Sequence, residues 1–218
     1  GNLFPVSERS VTEYLLWGYI PEPYSVYSEV QKLRAGHSFT YQLRNGQIRE
    51  RKYWDLDYHW EYTYKEGYRS AADELEELLK DAVSRRMISD VPLGIFLSGG
   101  IDSSLVASLA QAESPESVRT FSVKFAEESF DESKYAKKVA EHIGSEHTEI
   151  VCDYGRGLDI IRNFHSYYQE PFADSSAIPS IILAEKARKY VTVALSGDGG
   201  DESFLGYHSH RDALRKSR

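Results

Sequence analysis

The stretch GIFLSGGIDSSLVASLAQA, residues 94–112, constrains this chain more than any other part of it. An apolar strand runs into a loop holding two glycines, an aspartate and three serines, and an apolar helix follows at once. A strand that feeds directly into a helix opens a βαβ crossover, and the same alternation repeats downstream. VRTFSVKF (118–125), EHTEIV (146–151) and VTVAL (191–195) read as strands. DESKYAKKVAEHIG, starting at Asp131 with Tyr135, Val139 and Ala140 inward, reads as a helix, as do LDIIRNFHSYY and AIPSIILAEKARKY. The expected fold is α/β, a parallel sheet with helices on both faces. In such sheets ligands sit at the carboxyl ends of the strands, so the polar loops there are the places to search for chemistry.

The region before this alternation is different. SVTE (10–13) has capping-box spacing and predicts a short helix ending near WGYIPEP. HSFTYQLRNGQIRERKYWDL predicts a hairpin, with Phe39, Tyr41 and Leu43 on one arm, a turn at Asn45-Gly46, and residues 48–54 on the other. A helix and a hairpin of this size cannot bury a core alone. The expected organisation is therefore a first region, 1–58, that is the tail of another domain with its linker, and a second, 59–218, that holds the α/β core. The second opens with SAADELEELLKDAVSRRM, which sets Leu75, Leu78, Leu79, Ala82 and Val83 along one helical stripe.

Composition narrows the function classes. A net charge of −8 opposes general nucleic-acid binding, which requires a basic face. No apolar run approaches the roughly 18 residues of a membrane span, and no signal-like N-terminus is present, which argues against a membrane protein and against secretion. The single cysteine, Cys152, excludes an intramolecular disulfide and a cysteine zinc site, and fits a reducing, cytoplasmic compartment. At the end of a strand it reads as a packing residue.

Two loops follow strands and carry the polar residues. In SGGIDSS, Gly99 and Gly100 let consecutive amides converge, and Ser103 and Ser104 begin a helix whose free N–H groups attract an anion such as pyrophosphate. Asp102 would repel a phosphate unless a cation such as Mg²⁺ lay between them; the alternative is that Asp102 caps the helix. SGDGGDE (196–202) sets Asp198, Asp201 and Glu202 among three glycines just past a buried strand. By the placement rule, Asp198 or Asp201 meets Asp102 across the carboxyl edge of the sheet. Familiar signatures fail on spacing. No lysine completes a Walker loop, Glu202 stands where a dinucleotide fingerprint needs glycine, and no G-x-S-x-G elbow activates Ser98 or Ser196. His208 and His210 read as solvated surface.

SGGIDSS resembles the pyrophosphate-binding loop of the N-type ATP pyrophosphatases, whose fold is adenine nucleotide alpha hydrolase-like. FSVKF, DESKYAKKVAEHIGSEHTEI, EPFADSSAIPS and ALSGDGGDESFLGY narrow the resemblance to the glutamine-hydrolysing asparagine synthetase family. LRAGHSF and YWDL resemble the stretch where that family's glutaminase domain gives way to its synthetase domain. The wording of EPFADSSAIPS and SGDGGDE looks most like homologues found among bacterial surface-polysaccharide genes.

The resemblance implies an ATP-dependent amide ligase. Aspartate attacks the α-phosphate of ATP, and ammonia from glutamine then displaces AMP to give asparagine. By position, Ser98, Gly99, Gly100, Asp102, Ser103 and Ser104 would hold the pyrophosphate, and Asp102 with Asp201 would ligate Mg²⁺. Leu97, Val123, Ser196 and Gly197 would contact the adenosine, and Asp198 matches an acidic residue near the aspartyl-AMP. The implied partners are these small molecules and the glutaminase domain of the same polypeptide, with a homodimer as a further possibility.

Departures from the family pattern bear on the acceptor and on completeness. Gly1 stands where the glutaminase nucleophile, an N-terminal cysteine, is expected, and Lys216 is too close to the second loop to be the family's downstream catalytic lysine. Asp198 is one methylene shorter than the glutamate of many members, and ESFLGY replaces ELFGGY. The expectation is a fragment that is inactive alone. The alternatives are a different carboxylate acceptor, as in β-lactam synthetases or polysaccharide amidotransferases, or a nucleotide-binding module without catalysis.

Overall fold

The structure is a computed structural model that describes residues 4–55, 64–127 and 131–216. It divides into two compact units, one formed by Gly1–Gly67 with Arg162–Ser176, the other by Tyr68–Ile161 with Ala177–Arg218. The expected boundary at residues 58 and 59 lies outside the described residues.

The first unit contains helix α1 (Glu8–Trp17) and a hairpin of β1 (His37–Gln42) and β2 (Gln47–Lys52). Helix α1 starts earlier than SVTE suggests. Ser7 is the N-cap, in extended conformation, and its hydroxyl accepts from the Ser10 amide, so Ser10 is the capped residue rather than the cap. In the hairpin Gln42 pairs with Gln47, so the loop is residues 43–46, longer than a two-residue Asn-Gly turn. The Asn45 and Gly46 amides both bond back to the Gln42 carbonyl, and Asn45 Oδ1 accepts from the Gln47 amide, which closes the wider loop. Arg162–Ser176, read from sequence as part of the second region, is held within this unit. Glu170 accepts from the Val26 amide and pairs with Lys32, and the Ala173 amide donates to the Gly18 carbonyl.

The second unit carries a four-stranded parallel sheet in the order β5-β4-β3-β6, with β3 Leu93–Phe96, β4 Arg119–Lys124, β5 Glu146–Val151 and β6 Val193–Leu195. The helices are α2 (Gly67–Met87), α3 (Ile101–Glu113), α4 (Ser133–Ile143), α5 (Tyr154–Arg162), α6 (Ala177–Ala187), α7 (Gly200–Phe204) and α8 (His208–Lys216). Alternation of side chains along the strands gives each face its own core. Ile95 and Leu97 pack with Val83 of α2, Ala107 and Ala110 of α3, and Ala136 and Ala140 of α4. On the other face Phe121, 1% exposed, lies beside Tyr190, with Gly94 making room for its ring. Ile160 of α5 and Ile182 and Ala187 of α6 are also buried.

Several local expectations shift. Tyr135 is exposed, because the buried seam of α4 runs through Ser133, Ala136 and Ala140, one residue out of phase with it. Leu78 is exposed as well, and Val83 is the one buried residue of the α2 stripe. Helix α5 stops at Arg162, and FHS (Phe164–Ser166) forms a 3₁₀ turn instead of extending it.

Candidate active site

Strand β3 is the turning point of the sheet. The chain moves outward from β3 to β4 and β5, then returns to place β6 on the opposite side of β3. The loops after β3 and β6 therefore leave adjacent strands at the same carboxyl edge, the position at which doubly wound sheets bind ligands.

Leu97 is buried and continues the ladder past β3, its amide donating to the Phe121 carbonyl at 2.8 Å. The chain then turns, and two serines staple it. Ser103 Oγ accepts from the Ser98 amide at 3.2 Å and lies 2.9 Å from Ser98 Oγ, while the Gly100 amide donates to Ser98 Oγ at 3.2 Å. Gly99 sits at φ +85°, and a Cβ there would stand 2.5 Å from the Ala136 nitrogen and 2.7 Å from Tyr135 Cβ. Glycine is thus required twice, by conformation and by the first turn of α4 pressed against it.

Helix α3 begins with Gly100 as N-cap and no side-chain cap. Asp102 is therefore not the cap; it is the second residue of the helix, and its carboxylate makes no hydrogen bond or ion pair among the described residues. The first intrahelical bond runs from the Ser104 amide to the Gly100 carbonyl. The amides of Ile101, Asp102 and Ser103 accordingly have no intrahelical acceptor and carry the positive end of the helix dipole. Ser104 Oγ is buried without a partner among the described residues.

The second loop comes directly onto the first. A Cβ on Gly197 would lie 2.7 Å from the Ser103 nitrogen, and a Cβ on Gly200 would lie 2.5 Å from Asp102 Cγ. What meets Asp102 is thus the backbone of Gly197 and Gly200. Asp198 is engaged locally, its Oδ2 accepting from Ser196 Oγ at 2.9 Å. Asp201 lies in the first turn of α7, next in sequence to Gly200, and packs against Gly206. Glu202 accepts from the Tyr207 hydroxyl at 2.6 Å, and that bond holds its carboxyl below the usual range. The sequence reading missed Tyr207, although GY closes the quoted motif. Val123, half-buried near the end of β4, lines the same carboxyl edge.

Two residues lie outside the loops, and His210, expected on the solvated surface, is half-buried with its Nδ1 lacking a hydrogen-bond partner among the described residues. Cys152 is half-buried and burial pushes its thiol upward, away from the reactive thiolate. His210 lies edge-on to Tyr207, and among the described residues no group of three or more His, Cys, Asp and Glu side chains could hold a metal ion.

A model of the family described as asparagine synthase matches residues 74–218. The chain belongs to the asparagine synthase family. It is 40% identical over 213 residues to the putative asparagine synthetase [glutamine-hydrolyzing] 2 of Methanocaldococcus jannaschii, covering 96% of this chain and 40% of that protein. It is 34% identical over 213 residues to asparagine synthetase [glutamine-hydrolyzing] 1 of Bacillus subtilis, covering 98% of this chain and 33% of that protein. A putative asparagine synthetase [glutamine-hydrolyzing] of Mycobacterium tuberculosis is 33% identical over 211 residues, covering 96% of this chain and 32% of that protein. The chain therefore spans 32% to 40% of the length of these relatives. No helix among the described residues is long and apolar enough to cross a membrane.

The local chemistry fits a nucleotide with a divalent cation. The free amides of the first turn of α3 supply anion donors. Gly197 and Gly200 set their bare backbone against Ser103 and Asp102, and the Asp102 carboxylate, without a hydrogen bond or ion pair among the described residues, supplies a hard oxygen ligand.

Proposed function

We propose that this chain is the ATP-binding and adenylating part of a glutamine-dependent asparagine synthetase. The observation that carries the reading is the packing of Gly197 and Gly200 onto Asp102 and Ser103. It joins a phosphate-type loop to an acidic glycine loop at the switch point of a parallel sheet. Ser98, Gly99, Gly100, Asp102, Ser103 and Ser104 hold the pyrophosphate portion, and Leu97, Val123, Ser196 and Gly197 hold the adenosine. Asp102 and Asp201 are the Mg²⁺ ligands, and the cation's role is to neutralise phosphate charge. Asp198, fixed by Ser196, faces the acyl-adenylate.

The chemistry balances in two displacements. An aspartate side-chain oxygen bonds to the α-phosphorus as the bridge to the β-phosphate breaks, releasing pyrophosphate. Ammonia nitrogen then bonds to the acyl carbon as the bond to AMP breaks, and a proton leaves the nitrogen. What this chain contributes is orientation and charge placement at the sheet edge. Ammonia comes from a glutaminase part of the whole protein, which acts in the cytoplasm and without nucleic acid. One observation favours a different carboxylate acceptor as a second reading: the shorter Asp198 is drawn back onto Ser196.

Calorimetric titration with ATP and Mg²⁺ tests the nucleotide claim, and a folded sample that binds neither overturns it. In the full-length protein, release of AMP and pyrophosphate with aspartate alone supports asparagine synthesis. Release with another carboxylic acid in its place supports the second reading.

A further inference from the structure

Asp131 stands between two walls of the candidate site. Its Oδ1 accepts from the Phe125 amide at 3.4 Å and from the Ser133 amide at 3.1 Å. Phe125 directly follows β4, two residues beyond Val123. Ser133 is the first residue of α4, is 3% exposed, and leads into Tyr135 and Ala136, whose backbone bounds Gly99. The N-cap position of α4 is Glu132, which makes no side-chain cap bond, so Asp131 supplies the oxygen at the start of this helix. A hydrogen bond from the Ser133 hydroxyl, followed by the two amides and the charge of Lys124, holds the Asp131 carboxyl below its ordinary range.

Ordinary helix initiation needs only the bond to Ser133, which is a local Asx-type turn. The bond to Phe125 does something else, because it fastens the end of β4 to the start of α4. Helix α4 in turn leaves no room for a side chain at residue 99 and presses on that glycine in its left-handed conformation. Any drift of the first turn of α4 would therefore release Gly99 and the amides that follow it.

We propose that Asp131 is a positioning residue for nucleotide binding: one carboxylate oxygen clasps the adenosine-side strand β4 to helix α4, and α4 fixes the SGG loop. This rests on the nucleotide reading above, and the experiment separates the two. Three variants divide the roles. D131N keeps an acceptor oxygen at the same reach. D131S keeps an oxygen for the local turn at Ser133 but is too short to reach Phe125. D131A removes both bonds.

The measurement is ATP–Mg²⁺ affinity by calorimetry, on samples whose far-ultraviolet circular dichroism matches the wild type, together with the amide resonances of Gly99 and Phe125. D131N is expected within about twofold of wild type, and D131S and D131A weaker by about fivefold or more, the factor one lost hydrogen bond is worth. The Gly99 resonance should move in D131S and return in D131N. Wild-type affinity in D131S would reduce Asp131 to a helix cap and overturn the clasp. Equal weakening in D131N and D131A would assign the effect to charge and overturn it as well. Should D131A fail to fold, D131S carries the comparison. If the wild type itself binds no ATP, the nucleotide reading falls, and the Gly99 resonance decides the clasp: unmoved in D131S, it ends the proposal.

Discussion

Gly200 lies against Asp102 so closely that a methyl group on it would stand 2.5 Å from the carboxylate carbon. The two residues lie in the first turns of α7 and α3, the helices that follow neighbouring strands, so the contact joins the two strand-to-helix segments at the carboxyl edge. Gly200→Ala is expected to turn the Asp102 carboxylate aside and cost about 0.5–1.5 kcal/mol, the usual scale of a displaced rotamer. Urea unfolding measures it; a midpoint equal to wild type would mean that the carboxylate yields freely. Asp102→Ala leaves the packing nearly unchanged and should instead lower ATP–Mg²⁺ affinity about tenfold or more, the scale of a lost charge-assisted contact. Calorimetry with and without Mg²⁺ checks it. A variant as tight as wild type would remove Asp102 from the site.

Gly99→Ala combines a left-handed backbone, φ +85°, with a collision against the Ala136 nitrogen. A non-glycine residue in that region costs about 1–2 kcal/mol before any clash is counted. The expected result is a destabilised protein with lost nucleotide binding, read by urea unfolding and calorimetry on one sample. Retained stability together with retained affinity would show that α4 moves aside.

The alternation of strands and helices was legible because buried parallel strands are short runs of apolar, β-branched and aromatic residues bounded by polar loops: GIFL is apolar, and VRTFSVKF is β-branched and aromatic. The placement of both loops at one edge followed from strand direction alone. What met Asp102 was not legible. The sequence points to Asp198 or Asp201 at this edge, and the fold adds close packing by backbone at Gly197 and Gly200, where the absence of a side chain is the signal. On α4 the expected inward residues Val139 and Ala140 do pack on the core, and only Tyr135 departs. Tyr135 looks apolar and Ala136 looks neutral, yet close approach of helix to loop selects the small residue. The α1 cap was misplaced because Ser7 and Ser10 are both capping types, and only backbone conformation separates them.

Ser103 holds the first loop shut from inside the helix. It is 7% exposed, and its hydroxyl takes the Ser98 amide and lies within hydrogen-bond distance of Ser98 Oγ and the Gly100 carbonyl. Ser103→Ala leaves these groups without their partner, at a cost of about 1–3 kcal/mol. The loss should appear in thermal unfolding, and ATP affinity should fall with it because the free amides lose their fixed direction. An unchanged melting temperature would mean that water replaces the hydroxyl without cost.

His147 gives the second unit a pH dependence of definite sign. Its Nδ1 lies 2.8 Å from Thr120 Oγ1 and its Nε2 lies 3.1 Å from Ser122 Oγ, and both of those hydroxyl residues are buried. Burial holds the imidazole below its ordinary value; Glu149 opposes that shift and Lys137 adds to it. The unfolded chain therefore takes up a proton first as pH falls. Stability from this group is fully present above the unfolded value of about 6.5 and declines as pH drops through it, until the folded imidazole also protonates. Urea midpoints at pH 7.5 and 5.5 should differ in wild type, with the lower pH less stable. His147→Gln, which keeps a donor and an acceptor but does not titrate, should shrink that difference. If the variant keeps the whole pH dependence, the carboxylates rather than His147 set it.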